Sequence, residues 1–263
     1  MQGIADYEFI ERLGESHYGQ NYLARAPERL GIARDKVVVK VISGPTPDDA
    51  FRRATRELKH FARAKSDKLV ALYDAGRYDG EFYYAMEHLP LGSLAEPAGE
   101  VSRHQALRAV ADAADAAHAL HENGIAHRDI KPANILLTED GGRLADLGLS
   151  QLLAPGMIFS GLGPIGIEYT DPAILQGAEG SRATDIWSLG ASLHFALTGV
   201  GVYGQLPVTE PLLLMRAVLA VQPALADDLD GEAAALIRRC VDEDVTLRPA
   251  SAHEVAVGVA GLI

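Results

Sequence analysis

Apolar and polar positions alternate through much of the first ninety residues. "YEFIERLG" (7–14), "QNYLARA" (20–26) and "KVVVKVI" (36–42) are short runs broken by glycine and by a polar stretch at 27–36, and they predict three strands. "KLVALYDAG" and "FYYAMEHL" predict two more. Between these groups Phe51, Ala54, Leu58 and Phe61 recur at helical spacing, which predicts a helix with one buried face. The turn "SGPTPDD" precedes it, with Asp48 or Asp49 placed to cap it.

After "PLGSL" the period changes from two to 3.6. "HQALRAVADAADAAHALHENG" predicts a long alanine-rich helix that stops at Asn123-Gly124. "TDIWSLGASLHFALTG" is apolar almost all round, as expected of a helix running through the middle of a core. Several further helices follow from about 209. Between these two helices of the second part, "AHRDIKPANILLTEDGGRLADLG" reads as strand, turn and strand. The pattern predicts an α+β, bilobal protein. Residues 1–88 form a small β-rich lobe with one main helix, and residues 89–263 form a larger helical lobe. A cleft between two lobes is the expected place for a ligand.

Composition narrows the picture by exclusion. The 263 residues suffice for one large domain or two lobes, and no run approaches the ~18 apolar residues of a membrane span. No signal peptide is visible, and a cytoplasmic setting is expected; a fragment trimmed from a longer, membrane-anchored protein would look the same. The net charge of −12 argues against nucleic acid binding through the overall field. Cys240 is the single cysteine, so an intramolecular disulfide is excluded and a thiolate zinc site is not expected. The alanine and glycine content suggests a GC-rich bacterial source.

The strand–turn–strand stretch carries two acids, an amide and a lysine along an otherwise apolar sequence: Asp129, Lys131, Asn134 and Asp146. Buried carboxylates are costly unless a metal or a cation compensates them. "HRDIKPAN" followed by "DLG" resembles the catalytic and metal-binding loops of the eukaryotic-type (Hanks-type) serine/threonine protein kinases. The resemblance extends over almost the whole chain. "LGESHYGQ" is similar to the glycine-rich loop, "VVVK" to the strand of the ATP-positioning lysine, "AMEHL" to the hinge, "DIWSLG" to the central-helix motif and "LRPASA" to the late arginine motif.

The resemblance implies transfer of the ATP γ-phosphate to serine or threonine hydroxyls of protein substrates, with Mg²⁺. It implies that Asp129 orients the attacking hydroxyl, that Lys131 contacts the γ-phosphate and that Asn134 and Asp146 hold the metal. Lys40, paired with Glu57, would hold the α- and β-phosphates. Gly14, Ser16 and Gly19 would cover the phosphates, and Asn21, Val38, Met86, Glu87, Leu89 and Leu136 would surround the nucleotide. His127 is expected to be a packed core histidine, stacked with Phe61, Leu72 and Leu147.

Several positions depart from the family pattern. Ser16 replaces the middle glycine of the loop, Asn21 stands where a valine roofs the adenine, and Val38 replaces a smaller alanine. The two adenine-contact changes, at Asn21 and Val38, are each expected to weaken nucleotide binding by about 1–2 kcal/mol. Ala173 replaces the glutamate that should pair with Arg248, so Glu168 or Glu179 is expected to substitute, or Arg248 to be exposed. Thr170 is the stand-in for the threonine that ties this segment to the catalytic residues. Arg128 would pair with a phosphorylated residue such as Ser160, or with backbone or a structural carboxylate. These departures motivate an alternative: a pseudokinase acting as a nucleotide-binding or scaffolding module. A small-molecule phosphotransferase of related fold is a third reading, which "DIWSLG" argues against.

Overall fold

The computed structural model describes residues 2–16, 19–147, 164–204, 206 and 211–263, without the side chains of 15–16, 164–165 and 211–212. The described residues divide into two compact units, one built from residues 2–63 and 70–88 and the other from 64–69, 89–147 and the described residues from 164 to 263.

The first unit is a six-stranded antiparallel sheet. Its strands are β1 (Gly3–Ile4), β2 (Tyr7–Ser16), β3 (Gly19–Arg25), β4 (Lys36–Ile42), β5 (Leu72–Tyr78) and β6 (Glu81–Glu87), in the order β1-β2-β3-β4-β6-β5. The five strands expected from the alternation are present; β1 is too short to leave a periodic signal. Because side chains alternate across a pleated strand, the register assigns each residue to a face. On one face Tyr7, Ala24, Val37, Val39, Val41, Tyr83 and Ala85 form a core, with Leu30 and Ile32 from the 27–36 stretch packed against it. The other face carries the rows Gly14–Asn21–Lys40–Tyr84 and Glu11–Leu23–Val38–Met86.

The helix α1 (Asp48–Arg63) packs its Phe51 edge-on to Phe82, with ring centroids 5.7 Å apart. Ala54, Leu58 and Phe61 are buried as expected, with Ala50 in addition, while Phe51 is only half-buried. Asp48 and Asp49 lie within its first turn, where their carboxylates pair with Arg77 at 2.5 Å and Arg53 at 2.6 Å.

The second unit is mostly helical. The helix α2 (Arg103–Glu122) is capped by Ser102, whose hydroxyl accepts from Gln105 N–H, and it ends at Asn123 with Gly124 left-handed at φ +74°. It buries an alanine-rich face from Ala106 to Ala117. The strands β7 (Ile135–Leu137) and β8 (Gly142–Leu144) form a hairpin against it. Residues 64–69 belong here because Leu144 N–H donates to Lys68 C=O at 2.8 Å and the Lys68 ammonium reaches Asp112 of α2 at 3.1 Å.

Two short helices, α3 (Pro164–Ile167) and α4 (Pro172–Leu175), precede α5 (Arg182–Thr198), in which every residue from Thr184 to His194 is buried. Gly190 lets α5 approach α7 (Gly231–Cys240): a Cβ there would lie 2.4 Å from the Cys240 Cβ. The helix α6 (Pro211–Ala220) precedes α7, and α8 (Ala252–Ala260) closes the unit against α2. Among the described residues no helix is long and apolar enough to cross a membrane.

Candidate active site

The chemistry-bearing residues of the second unit converge at the start of the β7–β8 hairpin. Lys131 Nζ donates to both carboxylate oxygens of Asp129, at 2.9 and 3.0 Å. Asn134 Nδ2 donates to the Asp129 carboxylate at 2.9 Å and to its C=O at 2.7 Å. Ala145 N–H donates to Asn134 C=O at 2.8 Å, so the backbone that carries Asp146 is tied to the residue that carries the amide. Asp146 itself sits in the left-handed region at φ +57°, unusual for a residue with a Cβ.

Bonds from the buried α5 hold this geometry from beneath. The Asp185 carboxylate on α5 is 1% exposed, and it accepts from His121 Nε2 at 2.8 Å, His127 N–H at 2.7 Å and Arg128 N–H at 2.8 Å. Arg128 has φ +70°, so Asp185 holds the residue before Asp129 in a conformation that costs of order 1–3 kcal/mol. The Arg128 side chain lies along Gly180, where a Cβ would come within 2.7 Å of its Cγ.

His127 is fully buried, as expected. Its Nε2 donates to Ala145 C=O at 3.0 Å, and its Nδ1 faces Asp129 N–H at 3.4 Å. Burial holds its pKa below the usual histidine value, against the opposing pull of Asp185 and Asp129. One neutral imidazole thereby links the Asp129 backbone to the strand leading to Asp146.

The first unit places the remaining candidates on one sheet face. Lys40 pairs in register with Asn21 on one side and Tyr84 on the other, and Val38 and Met86 lie two residues along, both buried. Gly14 opposes Asn21, and a Cβ on Gly14 would meet open space within 4 Å, so no packing demands glycine there. Gly19 is different: a Cβ would lie 2.0 Å from Val41 C=O, so strand pairing alone requires it. The Glu87 side chain is buried and bonded to Arg34 at 2.7 Å, a link from the polar 27–36 stretch that the sequence did not suggest. Glu57 is half-buried on α1. Leu89 and Leu136 are half-buried in the second unit. The side chain of Ser16, and Ser160 altogether, lie outside the described residues.

Two expectations are corrected. Arg248 is buried, and its partner is neither Glu168 nor Glu179 but Asp171, at 2.5 Å. Asp171 Oδ1 caps α4 by accepting from Ala173 N–H at 2.9 Å, while Oδ2 holds the guanidinium. One aspartate just before Pro172 thus replaces the missing glutamate just after it. Arg248 also donates to the C=O groups of Asp242 and Ala183, both at 2.8 Å, so its charge is compensated throughout. Thr170, in turn, donates to Gly166 C=O at 2.9 Å, a bond within its own turn rather than one to Asp129 or Lys131. Asp185 and Asp171 were not singled out in the sequence. Asp185 sits in the quoted "DIWSLG", where an acid within an otherwise apolar helix was the available signal.

The protein kinase domain pattern matches residues 7–257, nearly the whole chain and every residue of this constellation. The chain belongs to the protein kinase domain family. Its relatives include the probable serine/threonine-protein kinase PkwA of Thermomonospora curvata, 29% identical over 258 residues, covering 96% of this chain and 34% of that protein. The serine/threonine-protein kinase AfsK of Streptomyces coelicolor is 32% identical over 260 residues, covering 94% of this chain and 30% of that protein. The kinase-domain chain thus spans about a third of the length of these two curated relatives. In fold it is similar to the kinase domain of Mycobacterium tuberculosis PknI, with a TM-score of 0.70 at 22% identity over 100% of this chain and 99% of that one. The expected kinase-like α+β architecture, a β-rich unit and a helical unit, is the one observed.

Proposed function

We propose that this kinase domain transfers the γ-phosphate of ATP to serine or threonine hydroxyls of protein substrates. One observation carries the reading: Asp129, Lys131 and Asn134 are bonded into a single cluster, beside Asp146, with buried Asp185 holding the strained backbone beneath. A folded protein that no longer used this loop would have no need to maintain Arg128 in a left-handed conformation.

The residues present fit a metal–nucleotide. Among the described residues no group of three His, Cys, Asp or Glu could hold a metal alone. An amide oxygen and a carboxylate, Asn134 and Asp146, suit Mg²⁺ completed by phosphate oxygens. When bound, the cation neutralises charge on the phosphates.

Asp129 would accept the proton of the attacking hydroxyl on a carboxylate oxygen as the new P–O bond forms and the bond to ADP breaks. Lys131, whose ammonium is bonded to Asp129, would meet the transferred phosphoryl group. Lys40 would take the inner phosphates, and the open face at Gly14 leaves room for backbone to approach them. Val38 and Met86 would offer apolar contact to the base. The catalytic contribution is positioning and charge neutralisation, which is what phosphoryl transfer requires.

The test is transfer of labelled γ-phosphate from Mg·ATP to the protein itself and to a basic protein substrate, with Asp129→Asn as control. Signal lost in the variant supports the kinase. Nucleotide binding without transfer in either protein would instead establish the pseudokinase reading.

A further inference from the structure

Asn21 breaks the family pattern, and the structure gives the break a chemical consequence. Its Oδ1 is buried and, among the described residues, has no hydrogen-bond partner. A buried amide oxygen left unpaired destabilises the folded chain. An apolar residue of similar bulk would avoid that cost, and a strand position favours valine. An unpaired acceptor kept at such a place is explained if a donor arrives from outside the chain.

The register fixes where that acceptor lies. Asn21 is the direct cross-strand partner of Lys40, so their Cβ atoms are about 4.5–5.5 Å apart on one face. Val38 and Met86 form the next row on that face, two residues or about 6.6 Å along the strands. On the opposite side of Asn21 stands Gly14, with no side chain to fill the space.

Under the nucleotide reading given above, on which this inference rests, Lys40 marks the phosphate end of the ligand and the Val38–Met86 row its base. Asn21 shares the row of Lys40, one step from the base toward the phosphates. What lies between a purine and its phosphates is the sugar, whose hydroxyls are the donors within reach. We propose that Asn21 is a specificity residue for the sugar of the nucleotide, its Oδ1 accepting a hydrogen bond from a ribose hydroxyl. The substitution that the sequence marks as a weakened adenine roof is then a site that selects ribonucleotides.

The experiment is direct calorimetric titration of ATP, 2′-deoxy-ATP and 3′-deoxy-ATP, with Mg²⁺, into the wild-type protein and into Asn21→Val. Neither measurement depends on phosphate transfer. In the wild type, removing the bonded hydroxyl should weaken binding about five- to tenfold relative to ATP, and the analogue affected identifies which hydroxyl donates. In Asn21→Val, ATP should fall to the affinity of that analogue and the discrimination should vanish. Equal wild-type affinity for all three nucleotides overturns the proposal without recourse to any variant. So does discrimination that persists unchanged in Asn21→Val. Failure of both proteins to bind any of the three would overturn the nucleotide reading of this face, and the proposal with it.

Discussion

Asp185 shows how a residue that touches no substrate can govern the site. Its carboxylate accepts two backbone N–H groups from the stretch leading into Asp129, and the His121 ring supplies the third bond. Replacing it with asparagine keeps the shape but exchanges one acceptor oxygen for a donor, which must then face an N–H. Asp185→Asn should therefore release Arg128 toward an unstrained φ and shift the Asp129 carboxylate. A misplacement of about 1 Å costs on the order of 10²-fold in rate. The loss should appear in kcat rather than in KM for ATP, and the conservative variant Asp185→Glu should not rescue it, because the extra methylene does not fit the buried site and carries the carboxylate past the two N–H groups. Steady-state kinetics alongside a thermal melt separates this positioning effect from unfolding.

At the scale of elements, the segment from α3 to α4 is anchored by an ion pair that its sequence disguises. Asp171 both starts α4 and neutralises buried Arg248, whose side chain is 3% exposed. Removing one partner of such a pair leaves a buried charge alone, which costs about 3–5 kcal/mol. Asp171→Ala should lower stability by that amount in urea or thermal unfolding. Adding Ala173→Glu, which restores an acid at the place the family pattern uses, should recover part of the loss. A melt unchanged by Asp171→Ala would show that the pair is not what anchors this segment. The nearby Glu168 carboxyl is half-buried, and burial raises its pKa; it lies against Gly201, where a Cβ would come within 2.2 Å of its oxygen.

Across the molecule, buried neutral histidines give stability a pH dependence. His127 has both ring nitrogens engaged, and so does His194, whose Nδ1 donates to Val200 C=O at 2.9 Å while Nε2 accepts from Ala226 N–H at 3.1 Å. A second proton on either ring would face an N–H. Burial lowers both pKa values, and that of half-buried His88 as well. With folded values below the unfolded value of about 6.5, the unfolded chain binds more protons in the interval between them. Stability is therefore fully present above about pH 6.5 and is lost as pH falls below it, by at most about 1.4 kcal/mol per pH unit for each histidine. Glu168 has the opposite sign, because burial raises its carboxyl pKa, so its contribution is lost as pH rises. Urea melts at pH 7.5 and 5.5 measure the difference; equal midpoints would show that these rings are not held neutral.

The sequence alone determined the parts of this protein whose cause is local. Alternation placed the five main strands of the sheet, helical spacing and the Asn123-Gly124 stop placed α2, and the spacing of Asp129, Lys131, Asn134 and Asp146 revealed the constellation, because all four flank one short hairpin. Tertiary structure decided what depends on residues far apart in the chain. Asp171 pairs with Arg248 across 77 positions, and Asp185 reaches Arg128 across 57. No period or short motif encodes either distance. The same holds for Asn21: the sequence marked it as unusual, but only strand register set it opposite Lys40, and only packing left its oxygen buried without a partner among the described residues. Local pattern records which backbone forms; long-range pairing of buried polar groups depends on the whole core that brings them together.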